Sequence, residues 1–275
     1  MHTLLRKLRL ALGLLMVIAS QQASAIVINL DFSDGGLSSS QQSVFYQAES
    51  FWENTLTGYQ NGIGSIMLDT GFSLLETGVT IKASGVTDDG VGGTLGWAGP
   101  NTAWVTDDYW LSRTATMAFD SDDLYWLETR GLLESVILHE MAHALGFGTL
   151  WTHNNVYEEG SGRYTGAAGL AAYQAEFDPR AEFIPVGESD GHWEEQPNGI
   201  GLTGITDDYG NDMTYELMTP YLNTDSPSFM SNTTIQSFVD IGYTVSVVPA
   251  PAAIWMFILG LGLLFGVTRK RQVIS

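Results

Sequence analysis

His139 and His143 stand four residues apart in the stretch "LHEMAHALGFGTLW", with Glu140 directly after the first and Gly146 three past the second. On a helix, positions i and i+4 share one face. Two imidazoles can therefore be offered to one ion, with Glu140 on the flank of that face. The spacing fits metal-assisted peptide hydrolysis. Zinc would lower the pKa of a bound water to about 7 and polarise the scissile carbonyl. Glu140 would take the water's proton and later deliver it to the leaving amine. The plainer alternative is a buried structural helix that carries two histidines. Against it, Leu133, Val136, Ile137, Met141, Ala142 and Leu145 surround the pair, and burying imidazoles and a carboxylate among them without a partner is costly.

A catalytic zinc normally takes three protein ligands. In the compact motif H-E-x-x-H-x-x-G-x-x-H the third histidine would fall at position 149, where this chain has Thr149. Between the chain's ends two other histidines remain. His153 follows the expected helix end and suits a surface position. His192 lies in "SDGHWEE", inside a polar stretch from Gly187 to Gly210 that is longer than an idle connection. A glutamate, Glu158 or Glu159, is a further candidate, but "NNVYEEGSGR" does not read as the helix such a ligand usually occupies. Downstream, "YELMTPY" could form a tight turn that places Met218 beneath the metal, although methionine is as common in cores.

The elements that must position these residues follow from periodicity. "IVINLDF" and "VTIKASGV" read as strands, and so does "ATMAFD". Residues Ser40 to Leu56 carry Val44, Phe45, Ala48, Trp52 and Leu56 at helical spacing. Leu132 to Leu145 is the helix of the opening motif, and Gly146 is its natural stop. Helices are also expected over Thr165–Phe177 and Ser231–Asp240, with "GYTVSV" after the last. "TDDGVGGTLGWAGP" reads as a glycine-rich loop containing a short strand, and Gly93 to Ala98 could form an edge along which an extended peptide pairs. Strands first and helices later give an α+β domain, with the site helix packed on a sheet.

The ends carry a different signal. Residues 1–25 have a basic start (Arg6, Lys7, Arg9), a short apolar run and the ending Ala23-Ser24-Ala25, the pattern of a secretory signal peptide. Residues 248–275 have a proline-rich hinge, an apolar segment from Ala252 to Val267 and the cluster Arg269, Lys270 and Arg271, which would stay on the cytoplasmic side. That tail resembles the PEP-CTERM sorting signals of Gram-negative bacteria, which implies processing by an exosortase. It departs from them at Ala250, where the motif usually has glutamate. A plain membrane anchor fits the same physics. The expected organisation is thus signal peptide 1–25, one domain over 26–247 and a sorting tail 248–275. Export machinery and the processing enzyme are its expected partners. The product would be tethered to the inner membrane through the tail, then released to the cell surface or secreted.

There is no cysteine, so an exported form would have no disulfide to stabilise it. Between the two ends lie five basic residues and all 31 acidic ones, a formal charge of −26. Such a surface would repel nucleic acid and anionic lipid.

"HEMAHALGF", then a distant "GHWEE", then "ELMTPYL" resemble the leishmanolysin family of metzincin zinc endopeptidases, especially its secreted bacterial relatives. The resemblance extends to "WE" at Trp52-Glu53, "GGTLGWAGP", "MAFDSDDL", "YTGAAGLAAY" and "TIQSFVDIGY", and so covers most of Ile26 to Tyr243. In that family an insertion separates the motif glycine from the third histidine. The resemblance implies a metzincin-type zincin: a twisted sheet on the active-site helix, followed by a subdomain with a Met-turn. It implies His139, His143 and His192 as zinc ligands, Glu140 as general base and Met218 as the Met-turn residue. A protein or peptide would be the substrate. The protozoan members use a propeptide cysteine to block the zinc, and this chain has none. Some metzincins have a tyrosine two residues past the Met-turn methionine; here Pro220 holds that position, and Tyr221 is assigned no role. Two acidic stretches loosely resemble the calcium loops of matrix metalloproteinases, which makes Asp88, Asp89, Asp120, Asp122 and Asp123 candidate calcium ligands; solvated turns are the plainer reading. The alternative function is a non-catalytic surface or matrix binding protein that keeps the fold, although such a protein has no chemical need for Glu140.

Overall fold

The computed structural model describes residues 26–60, 78–196, 199–224 and 226–246. The expected signal peptide and sorting tail lie outside these residues. Among the described residues, no helix is long and apolar enough to cross a membrane.

The fold is mixed α+β. Four strands form the main sheet in the order β1 (Ile28–Asp31), β3 (Val79–Val86), β5 (Trp110–Asp120), β4 (Gly96–Val105). β1, β3 and β5 run parallel, and β4 pairs antiparallel with β5 at the sheet's edge. β3 falls on the sequence's "VTIKASGV", whose Val79, Ile81 and Ala83 are buried. β4 is longer than the short strand expected. Gly99 and Pro100 lie inside it, and an edge strand tolerates proline where a central one does not.

Helix α1 (Ser39–Thr55) begins with a capping box: the Ser38 hydroxyl accepts from the Gln41 amide, and Gln41 reaches back to the Ser38 amide. Its buried face presents Phe45, Ala48 and Trp52. Trp52 also donates its indole N–H to the Leu138 carbonyl oxygen at 3.2 Å, fixing α1 against the site helix. That helix, α3 (Leu133–Leu145), has no side-chain N-cap and is held by burial: Leu133, Val136, Ile137, Met141, Ala142 and Leu145 all lie in the core. The leucine, isoleucine, valine and methionine side chains among them contribute roughly 1.5–3 kcal/mol each when fully buried. Gly146 closes α3 with φ 117°, a left-handed backbone, and its amide donates to the Ala142 and His143 carbonyls.

One acidic stretch departs from expectation. "FDSDDLYW" is not a turn: it ends β5 and starts helix α2 (Ser121–Arg130). Asp120 is its N-cap, Asp122 and Asp123 sit in its first turn, Arg130 in its last, and Gly131 ends it. These are the charge preferences of a helix's two ends.

Beyond α3 the chain is loop-rich. β6 (Arg163–Tyr164) pairs with β7 (Ile184–Pro185), and helix α4 (Ala167–Glu176) packs on α5 (Asn232–Asp240). β8 (Tyr243–Val245) returns to pair antiparallel with β2 (Leu56–Tyr59).

Candidate metal centre

Helix α3 aims His139 and His143 at the same point, and the long loop brings His192 to meet them. The three Nε2 atoms form a near-equilateral triangle: 3.1 Å from His139 to His143, 3.1 Å from His139 to His192 and 3.0 Å from His143 to His192. Among the described residues this is the one group of three or more ligand-type side chains that converges closely enough to hold a metal ion.

The other ring nitrogens explain the orientation. His139 Nδ1 lies 2.6 Å from the Leu217 carbonyl oxygen, and His143 Nδ1 lies 2.9 Å from that of Phe147. A carbonyl only accepts, so each Nδ1 carries the proton and each Nε2 turns a bare lone pair inward. His192 Nδ1 lies 3.0 Å from the Ser189 hydroxyl. Lone pairs gathered this closely repel one another unless a cation lies among them. Zinc bonds imidazole nitrogen at about 2.0–2.1 Å and is commonly supported by such outer hydrogen bonds, so the donor set fits a zinc-like ion. Burial holds the imidazoles neutral. It lowers the pKa of His139, with the Leu217 bond opposing, and lowers that of His143 to about 3, reinforced by His139. It also pushes His192 well down, reinforced by the other two histidines.

Glu140 sits one residue along α3, only 6% exposed. Its carboxylate has no protein hydrogen-bond partner among the described residues and lines the same cleft as His139 and His192. Burial pushes its carboxyl up to about 8, and a cation held by the histidines would favour the charged form again. The cleft, about 380 Å³, is bounded on one side by Gly93–Trp97, where the edge strand β4 begins, and on the other by Thr219–Asn223.

The structure sorts the remaining candidates. Thr149 replaces the compact motif's histidine and donates its hydroxyl to the His143 carbonyl at 2.8 Å, helping to close the helix. His153 is exposed, its ring 4.6 Å from that of Trp110, and Glu158 and Glu159 are exposed; none of the three joins the cluster. Met218 is fully buried, in the turn whose Leu217 carbonyl orients His139.

The five aspartates form no comparable cluster. Asp120 accepts from the amides of Asp89, Gly90 and Asp122, Asp123 from that of Gly92, and Asp89 from that of Thr94. Asp88 and Asp122 are exposed. The buried pair fastens the loop's amides to the start of α2, while Asp123 Oδ2 is buried without a hydrogen-bond partner among the described residues.

Sequence reasoning missed what holds His192. Trp193, next in the chain, is fully buried. It stacks on Trp151 at 5.0 Å between centroids and meets Phe147 and Tyr164 edge-on. The aromatic residues around the long loop thus anchor it to the end of α3. Their signal in the sequence was the "HW" pair itself, a large apolar side chain inside a polar stretch. No family model matches the chain, and no curated protein matches it.

Proposed function

We propose that this chain is a zinc-dependent endopeptidase of the leishmanolysin-like, metzincin kind. The observation that carries the proposal is the triangle of inward-facing Nε2 atoms, with the buried Glu140 carboxylate beside it in one cleft. His139, His143 and His192 would hold the zinc, which when bound would supply Lewis acidity toward a carbonyl oxygen and toward water.

The chain's own residues account for the rest. Among the described residues the outer edge of β4 is unpaired within the sheet, and its first residues line the cleft. An extended peptide can add to that edge, main chain to main chain. Trp97 on β4 is 51% exposed and Tyr221 across the cleft 48% exposed, which gives the peptide apolar walls. Glu140 is placed to accept a proton from water on its carboxylate and to pass it to the leaving amine. The buried surroundings of α3 exclude bulk water from behind the site. Export and removal of the C-terminal tail remain part of the proposal and rest on the sequence of the two ends.

The deciding experiment is incubation of purified protein with a protein substrate such as casein, with and without zinc, against the Glu140→Gln form. Zinc-dependent cleavage that the variant lacks supports the reading. Zinc binding without cleavage across a broad peptide library would replace it with the binding-protein alternative.

A further inference from the structure

We propose that Glu216 is a positioning residue for the metal centre, fixing His192 and His139 through the turn that carries Met218. The inference rests on the zinc reading of the histidine cluster and deepens it.

Glu216 is 2% exposed, yet both of its carboxylate oxygens are engaged. Oε1 accepts the Ser231 amide at 3.0 Å, the Ser231 hydroxyl at 2.7 Å and the Thr234 hydroxyl at 2.6 Å; Oε2 accepts the Met218 amide at 2.5 Å. Every partner is a donor, as an ionised carboxylate requires. Burying a charge for packing alone is a poor use of free energy, and here the charge organises a chain of contacts that ends at the ligands.

The chain has a direction. An indole N–H can only donate, and Trp193 Nε1 donates to Thr234 Oγ1 at 2.8 Å. Thr234 therefore turns its own proton to Glu216. Trp193 also donates its backbone amide to the Met218 carbonyl at 3.0 Å. Trp193 is thus clamped at both ends to the segment that Glu216 organises, and His192 is bonded directly to it. Between Glu216 and Met218 lies Leu217, whose carbonyl orients His139. One buried carboxylate consequently sets the placement of two ligands that lie 53 residues apart in sequence.

The test measures zinc affinity of the full chain by competition with a chromogenic chelator, together with the visible spectrum of the cobalt-substituted protein. Thr234→Val removes the relaying hydroxyl at nearly constant shape, Thr234→Ser keeps it, and Glu216→Gln removes the charge. Thr234→Val and Glu216→Gln are expected to weaken zinc binding about tenfold to a hundredfold, as outer-sphere substitutions do, and to alter the cobalt bands, while Thr234→Ser stays close to wild type. Folded variants that bind zinc within about twofold of wild type, with unchanged cobalt bands, overturn the positioning role alone. An equal loss in Thr234→Ser also overturns it, since packing rather than the hydroxyl would then be responsible. Wild-type protein that takes up no zinc overturns the reading of the centre and the positioning role with it.

Discussion

Gly148 and Gly191 meet backbone to backbone: a Cβ on Gly148 would lie 2.4 Å from the Gly191 carbonyl oxygen. Gly148 follows the end of α3, and Gly191 precedes His192. Gly148 also has φ +71°, where side chains are strained. Gly148→Ala is therefore expected to cost about 1–3 kcal/mol of stability and, by pushing the loop away, to weaken zinc binding about tenfold. Gly160→Ala is the control. Its φ of +73° is similar, but nothing lies within 4 Å of an added Cβ, so it should share the stability cost and leave zinc affinity alone. Thermal melts and chelator competition on both variants read the difference.

Glu140→Gln keeps the shape of the side chain and removes its basicity. Zinc affinity should remain near wild type, because the three imidazoles are untouched. Turnover of a peptide substrate should fall by about 10²–10⁴, the usual contribution of a general acid–base group. Steady-state kinetics on zinc-loaded protein checks both halves; activity that survives would remove Glu140 from the mechanism.

Helices α4 and α5 cap each other. Asp240, the last residue of α5, accepts the Ala168 and Gly169 amides and the Tyr164 hydroxyl, and Glu176, the last of α4, accepts the Asn232 and Thr233 amides and the Thr233 hydroxyl. Each carboxylate serves amides left without partners inside the opposite helix. Asp240→Ala or Glu176→Ala should each cost about 1–2 kcal/mol in chemical denaturation. Because neither side chain bonds to Glu216, Thr234, Trp193 or the histidines, activity per folded molecule should persist.

Glu195 gives a pH test away from the histidines' own titration. Both of its carboxylate oxygens are buried without a hydrogen-bond partner of normal geometry. Burial raises its carboxyl to about 7, the Thr219 hydroxyl and Tyr221 amide pulling weakly the other way. An acid whose folded pKa is raised binds more protons folded than unfolded, so its contribution to stability falls as pH climbs from the ordinary glutamate range to about 7. Glu195→Gln cannot ionise. Its melting temperature relative to wild type should therefore rise between pH 4.5 and pH 7 and level off above. A difference that is flat across that window would show that Glu195 titrates normally.

Asp120 is the hub that ties the 88–94 loop to α2. Asp120→Ala should lower the melting temperature, and added calcium should not restore it. Likewise, a chelator that removes calcium and leaves zinc should not shift the wild-type transition. A clear downward shift would support the calcium reading of these aspartates.

Local signals were legible and distant ones were not. α3 was expected from Leu132 and begins at Leu133, because its apolar residues repeat at helical spacing and Gly146 can supply the left-handed cap. β3 was read to the residue, since "VTIKASGV" is bounded by turn residues and rich in β-branched side chains. α2 is hard to read although its cap and charge pattern are present, because acids clustered near glycines suit turns and ion ligands as well as an N-cap such as Asp120. The pairing of β2 with β8 joins Leu56 to Val245 and had no local signature at all. Within the site, the i, i+4 pair followed from spacing, but spacing alone left the third ligand open. His192 came from resemblance, and the geometry brings it to the other two. Glu216 lies within "YELMTPY", where nothing local distinguishes a buried carboxylate from an exposed one. Apart from the Met218 amide, its donors come from Ser231 and Thr234, 15 and 18 residues further on.

The phenol of Tyr243 donates to the Leu145 carbonyl at 2.9 Å, and its strand closes against β2. The carboxyl end of the histidine-bearing helix is thus finished by a residue 98 positions further along the chain. Such long-range closure is slow to form. A chain cut ahead of Tyr243 would therefore keep all three histidines yet lack the bond that finishes the carboxyl end of their helix.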